Sequence, residues 1–154
     1  MNDDLINVEN MKESYKLVDD SIRNLDNKSV QMISIIGVMF TIQVTVLPEN
    51  VSSWGTILFV FSLITYFIST ILFIKSCMTR EYKFYPTPKT VCHHYEDDVD
   101  DEEYISEYIG ESEYVINYNL NIVKSKGHDS KFGFYFFALG LILTLFTVMY
   151  VVIT

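Results

Sequence analysis

Residues 30–47 and 54–74 carry no charged side chain, and the short polar stretch Pro48-Glu49-Asn50-Val51-Ser52-Ser53 separates them. A third charge-free run, residues 132–153, closes the sequence. A helix rises about 1.5 Å per residue, so roughly 20 apolar residues cross a hydrocarbon core about 30 Å thick. The pattern predicts an all-α integral membrane protein with three transmembrane helices, the first two forming a hairpin. Pro48 ends the first span, and the tip has room only for a turn between antiparallel helices. Trp54 begins the second span, where an interfacial aromatic belongs.

Outside these runs the apolar residues keep a helical beat. Val8, Met11, Tyr15, Val18, Ile22 and Leu25 fall 3 or 4 positions apart, the spacing of a coiled-coil seam, and Ser29, Met32, Ile36 and Met39 continue it. The seam serves either a second chain or packing on its own chain. No Gly or Pro interrupts residues 5–36, which predicts one rod running from cytoplasm into lipid. Pro86-Thr87-Pro88 stops the second helix from continuing. Ile105, Tyr108, Ile109, Ser112, Val115, Ile116, Asn119, Ile122 and Val123 then mark a second amphipathic helix over residues 104–126. Gly127-His128-Asp129-Ser130 is expected to break the chain there, with Asp129 or Ser130 capping the last span. The resulting organisation is a cytoplasmic amphipathic, coiled-coil-like helix (1–29), a transmembrane hairpin (30–74), a cytoplasmic acidic loop and helix (75–131), and a third transmembrane helix (132–154).

Charge adds orientation. Of 154 residues, 20 are acidic and 11 basic, for a net charge of -9, and the acids crowd into residues 96–113. That acidic segment is a solvated loop or a docking surface for a basic partner. All 11 basic residues precede the first span or lie between the second and third. Because cytoplasmic loops keep Lys and Arg, the amino terminus and the long connection are expected in the cytoplasm of a multi-pass inner-membrane protein. The hairpin tip and the carboxyl terminus then lie outside. The acidic start and amphipathic first segment give no cleavable signal peptide. Cys77 and Cys92 fall on the cytoplasmic side, where thiols stay reduced. Asn50-Val51-Ser52 fits a glycosylation acceptor pattern but sits too near the bilayer to weigh much. With no basic stripe to meet phosphate backbones, nucleic acid is not an expected partner.

Small and hydroxyl residues line one face of each span. The first has Ser34, Gly37, Thr41 and Thr45; the second has Gly55, Ser62, Thr65, Ser69 and Ser76; the third has Gly133, Gly140, Thr144 and Thr147. Lipid offers helices no hydrophobic reason to associate, so small residues that allow close approach build helix interfaces. These faces serve either three-helix packing or, in an oligomer, a wet lumen to which Gln43 would be the most polar contributor. No ionisable residue lies inside a span, which argues against ion-coupled transport. Cys92-His93-His94 with Cys77 and His128 match no zinc spacing. Asp98, Asp100 and Glu102 resemble a calcium loop, but Glu103 stands where its glycine belongs and Ile109 where its closing Glu belongs. No phosphate-binding loop, dinucleotide fingerprint or nucleophile motif is present, so neither an enzyme nor a cofactor is expected.

Two stretches resemble small membrane effectors of prokaryotic antiphage systems of the Pycsar and CBASS type. One is Asp26-Asn27-Lys28-Ser29-Val30-Gln31-Met32-Ile33-Ser34-Ile35-Ile36-Gly37, where a helix enters the membrane. The other is Asn117-Tyr118-Asn119-Leu120-Asn121-Ile122-Val123-Lys124-Ser125-Lys126, just before the last span. The resemblance covers about a third of the chain. It implies a homo-oligomer that permeabilises the inner membrane when a nucleotide second messenger is made, although no sensor domain is recognisable here. The alternative is an accessory or scaffold subunit of a membrane complex that grips a cytoplasmic protein through its helices.

Overall fold

A computed structural model describes residues 2–46, 53–78, 80–84 and 101–153. Three helices account for nearly all of them: α1 (Asn2–Val46, 45 residues), α2 (Ser53–Cys77, 25 residues) and α3 (Asp101–Ile153, 53 residues). The described residues include no strand. Each helix contains a stretch long and apolar enough to cross a membrane, within Glu9–Thr45, Ser53–Cys77 and Tyr104–Tyr150. The hairpin tip at 47–52, the prolines at 86–88, the Asn50-Val51-Ser52 pattern and the residues Cys92, His93, His94, Asp98 and Asp100 lie outside the described residues.

The first amphipathic segment runs unbroken into the first span, as the rod over residues 5–36 predicts, whereas the second, expected to end before the last span, is not an element of its own. Residues 5–29 are the first part of α1, and residues 104–126 are the first part of α3. The expected break at residues 127–130 is helical, so neither Asp129 nor Ser130 is a cap. The reason lies in the stripe. Asn119, Ile122, Lys126, Asp129, Ser130, Gly133, Gly140 and Thr147 are all buried at helical spacing, so one inner face runs through the polar tetrad without losing phase. A glycine inside a helix costs only about 1 kcal/mol, too little to end one that is packed on both sides of it.

The described residues divide into two compact units. In the first, drawn from Met1–Asn24 and Thr79–Lys124, the buried side chains include Val18 and Ile22 of α1 and Ser112, Val115, Asn119 and Ile122 of α3. The non-helical segment 80–84 is strapped to α3 by one side chain: Lys83 N donates to Asn119 Oδ1 (3.2 Å), and Asn119 Nδ2 donates to Lys83 O (3.0 Å). Tyr15 of α1 donates to the same carbonyl at 3.4 Å. The Lys83 ammonium donates to the Tyr114 hydroxyl (2.7 Å) and lies 4.4 and 4.6 Å from the centres of the Tyr114 and Tyr118 rings. The hydrogen bond to that hydroxyl, helped by the nearby Glu111 carboxylate and opposed by partial desolvation, holds the amine above the ordinary lysine range.

The second unit, drawn from Leu25–Met78 and Ser125–Thr154, is a three-helix bundle. Met32 and Ile36 of α1 and Tyr66 and Phe73 of α2 form its core, with Phe137 and Leu141 of α3 packed against them. Phe73 meets Phe134 edge to face at 5.2 Å, a favourable aromatic arrangement. Large apolar side chains such as Val38, Phe67, Leu145 and Met149 point outward, the reverse of a soluble domain and the arrangement that lipid rewards.

Candidate functional site

The inner faces of α2 and α3 meet along a serine ladder. Ser62 Oγ donates to Gly140 O at 3.3 Å, Ser69 Oγ to Gly133 O at 2.8 Å, and Ser76 Oγ to Lys126 O at 3.1 Å. Each step is seven residues up one helix and seven down the other, the repeat of an antiparallel coiled coil. The same step arrives at Gly55 and Thr147, both buried. Glycine makes the approach close enough for a side chain to reach backbone. A Cβ on Gly140 would stand 2.8 Å from the Tyr66 ring and 2.9 Å from Thr65 Oγ1, and one on Gly133 would stand 3.0 Å from the Phe73 ring.

Helix α1 joins this seam at two levels. At bilayer depth Gln43 Nε2 donates to Ser62 Oγ (2.8 Å); Ser62 and Thr144 oxygens are 2.9 Å apart, and Tyr66 OH is 3.1 Å from Thr144 Oγ1. Gln43 Oε1 is buried and has no hydrogen-bond partner among the described residues, a costly state for an amide carbonyl. Where the apolar runs begin, Ser29 Oγ donates to Ser76 Oγ (3.2 Å). Beside it Lys126 Nζ donates to Asp26 Oδ1 at 2.6 Å, with the Lys126 side chain fully buried and Asp26 35% exposed. Lys75 Nζ meets Asp129 Oδ1 at 3.0 Å. All three helices are thus tied by charge and hydroxyl at one level.

Of the residues singled out from sequence, Ser62, Thr65, Ser69, Gly140 and Thr147 are buried in the bundle, as is Gln43, and Thr144 is half-buried. Ser34, Gly37 and Thr41 are not brought to them. They lie on the exposed side of α1, where Ser34 and Thr41 donate to their own helix, to Val30 O and Gly37 O. A Cβ on Gly37 would meet nothing within 4 Å, and a groove of about 220 Å³ opens there between α1 and α2, lined by Ile33, Ile36, Gly37, Phe40, Tyr66, Phe67 and Thr70. The two ion pairs were missed by sequence reasoning. Their signal was Lys126 and Asp129 in phase with the apolar stripe, where a charge needs a partner. No group of metal-ligating side chains occurs among the described residues.

A family model described as Pycsar effector protein domain matches residues 10–153, far more of the chain than the two stretches that suggested it. No curated protein and no solved structure matches the chain.

Proposed function

The chain belongs to the Pycsar effector transmembrane family, and from that membership, which makes it a membrane effector of antiphage defence, we propose that it works by assembling into a homo-oligomer that permeabilises the inner membrane. No catalysis or cofactor takes part. The amino terminus and the long connection face the cytoplasm, and the signal reaches them there through a protein or a nucleotide second messenger.

The observation that carries this reading is the unequal use of small residues. Those of α2 and α3 are consumed inside the chain, whereas Ser34, Gly37 and Thr41 of α1 remain on an outward face. Their hydroxyls are already satisfied by their own helix, so a second helix can approach without stranding a polar group.

The test uses mass measurement in mild detergent and dye release from liposomes. Gly37→Leu adds a side chain where the chain itself has open space, so it is expected to preserve the fold while shifting mass toward the monomer and lowering dye release about tenfold, the effect of about 1.4 kcal/mol lost from assembly. Unchanged mass and leakage in that variant would reject the α1 interface. A strictly monomeric wild-type protein that never releases dye would reject the effector mechanism and favour a scaffold.

A further inference from the structure

We propose that Lys28, Lys75 and Lys131 form a collar that holds the phosphates of anionic phospholipids, such as phosphatidylglycerol, in one bilayer leaflet. One lysine comes from each helix of the bundle, and hydrogen bonds fix their common level. Ser29 and Ser76, next to Lys28 and Lys75, are bonded to each other, and Lys75 is bonded to Asp129, two residues before Lys131. Lys28 and Lys131 are exposed with no carboxylate partner among the described residues, and the Lys75 side chain is 58% exposed beside its Asp129 partner.

The collar lies on the edge of the apolar belt. Val30 follows Lys28, Ile74 precedes Lys75, and Phe132 follows Lys131, all three with exposed side chains. Tyr135, also exposed, has the Lys131 ammonium 5.9 Å from its ring centre, the amphipathic pairing expected at headgroup depth. At the other end of α2 the exposed Trp54 is 21 positions from Lys75, about 31 Å along the helix, which matches the thickness of the hydrocarbon core. Lysine stems can follow that belt while their ammonium groups reach the phosphates.

Charge complementarity favours an anionic headgroup over a zwitterionic one. Within residues 25–32, 72–78 and 125–132 four lysines face two aspartates, a surplus of two positive charges in a chain of net charge -9. Asp129 is held inward by Lys75, and the partly exposed Asp26 is neutralised by Lys126, so they offer a phosphate little repulsion. The proposal depends on membrane location and not on the oligomer.

Native mass spectrometry of the full chain in detergent, with phosphatidylglycerol or phosphatidylcholine added, tests it. Wild type is expected to retain phosphatidylglycerol preferentially, and more weakly as salt rises. Lys28→Gln with Lys131→Gln is expected to weaken that binding about 25-fold, about fivefold per lysine, with phosphatidylcholine unaffected. The double arginine variant should bind as wild type does, as should Lys12→Gln far from the collar. Equal retention of both lipids by wild type, salt-independent retention, or undiminished phosphatidylglycerol binding by the glutamine variant would each overturn the collar. Inorganic phosphate at millimolar concentration should not compete; displacement by it would show a free-anion site instead.

Discussion

Lys126 is the side chain whose surroundings leave it least freedom: fully buried, 2.6 Å from Asp26, with its own carbonyl taken by Ser76. Removing one partner of a buried pair strands the other charge, whereas replacing both by apolar groups removes the desolvation cost as well. Asp26→Asn is therefore expected to destabilise the bundle by about 2 kcal/mol, at the low end because Asp26 is partly exposed, and Asp26→Leu with Lys126→Met to recover most of that loss. Unfolding in mixed micelles with rising detergent fraction measures both. If the double variant is no better than the single one, the ion pair itself contributes stability. Residue types were legible in the sequence at this scale, since serines and glycines at heptad spacing announce close helix contact. Their partners were not. A serine that donates across to a backbone carbonyl looks, in sequence, the same as one that donates to its own previous turn, as Ser34 does.

At the scale of elements, the spans were readable because length and absence of charge suffice, and the 3–4 seam of α1 was readable because its apolar beat is strict. Val18, Ile22, Met32 and Ile36 of that seam are buried within the chain. The continuity of α3 was hidden, because Gly, Asp and Ser in succession usually punctuate a chain. Here Asp129 and Ser130 point inward and Gly127 has ordinary helical backbone. Gly127→Ala is expected to stabilise the protein by about 0.5–1 kcal/mol, since a Cβ there meets nothing within 4 Å and alanine restricts the unfolded chain. Gly140→Ala forces a Cβ against the buried Tyr66 ring and is expected to cost about 1–3 kcal/mol. Thermal unfolding in detergent separates the two signs; destabilisation by Gly127→Ala would mean that residues 127–130 do break the helix.

For the whole molecule, the one-sided distribution of basic residues makes a direct prediction: protease added to intact cells should leave the long connection between α2 and α3 uncut, while cutting it in inverted vesicles. Cleavage in intact cells would invert the topology. The serine ladder bears on how such a bundle can rearrange. Because its rungs repeat every seven residues, sliding α2 past α3 by one heptad, about 10 Å, offers Ser69 and Ser76 the carbonyls that Ser62 and Ser69 had used. Most threonines here also donate to their own helix and would travel with it unchanged, as Thr70, Thr144 and Thr147 do. The non-repeating groups tell one alignment from the next: Lys75 against Asp129 between these two helices and, through α1, Gln43 against Ser62 and Lys126 against Asp26. These side chains act as the teeth of a key in an otherwise sliding joint, and altering them would free the helices to change height without dissolving the contacts that keep them together.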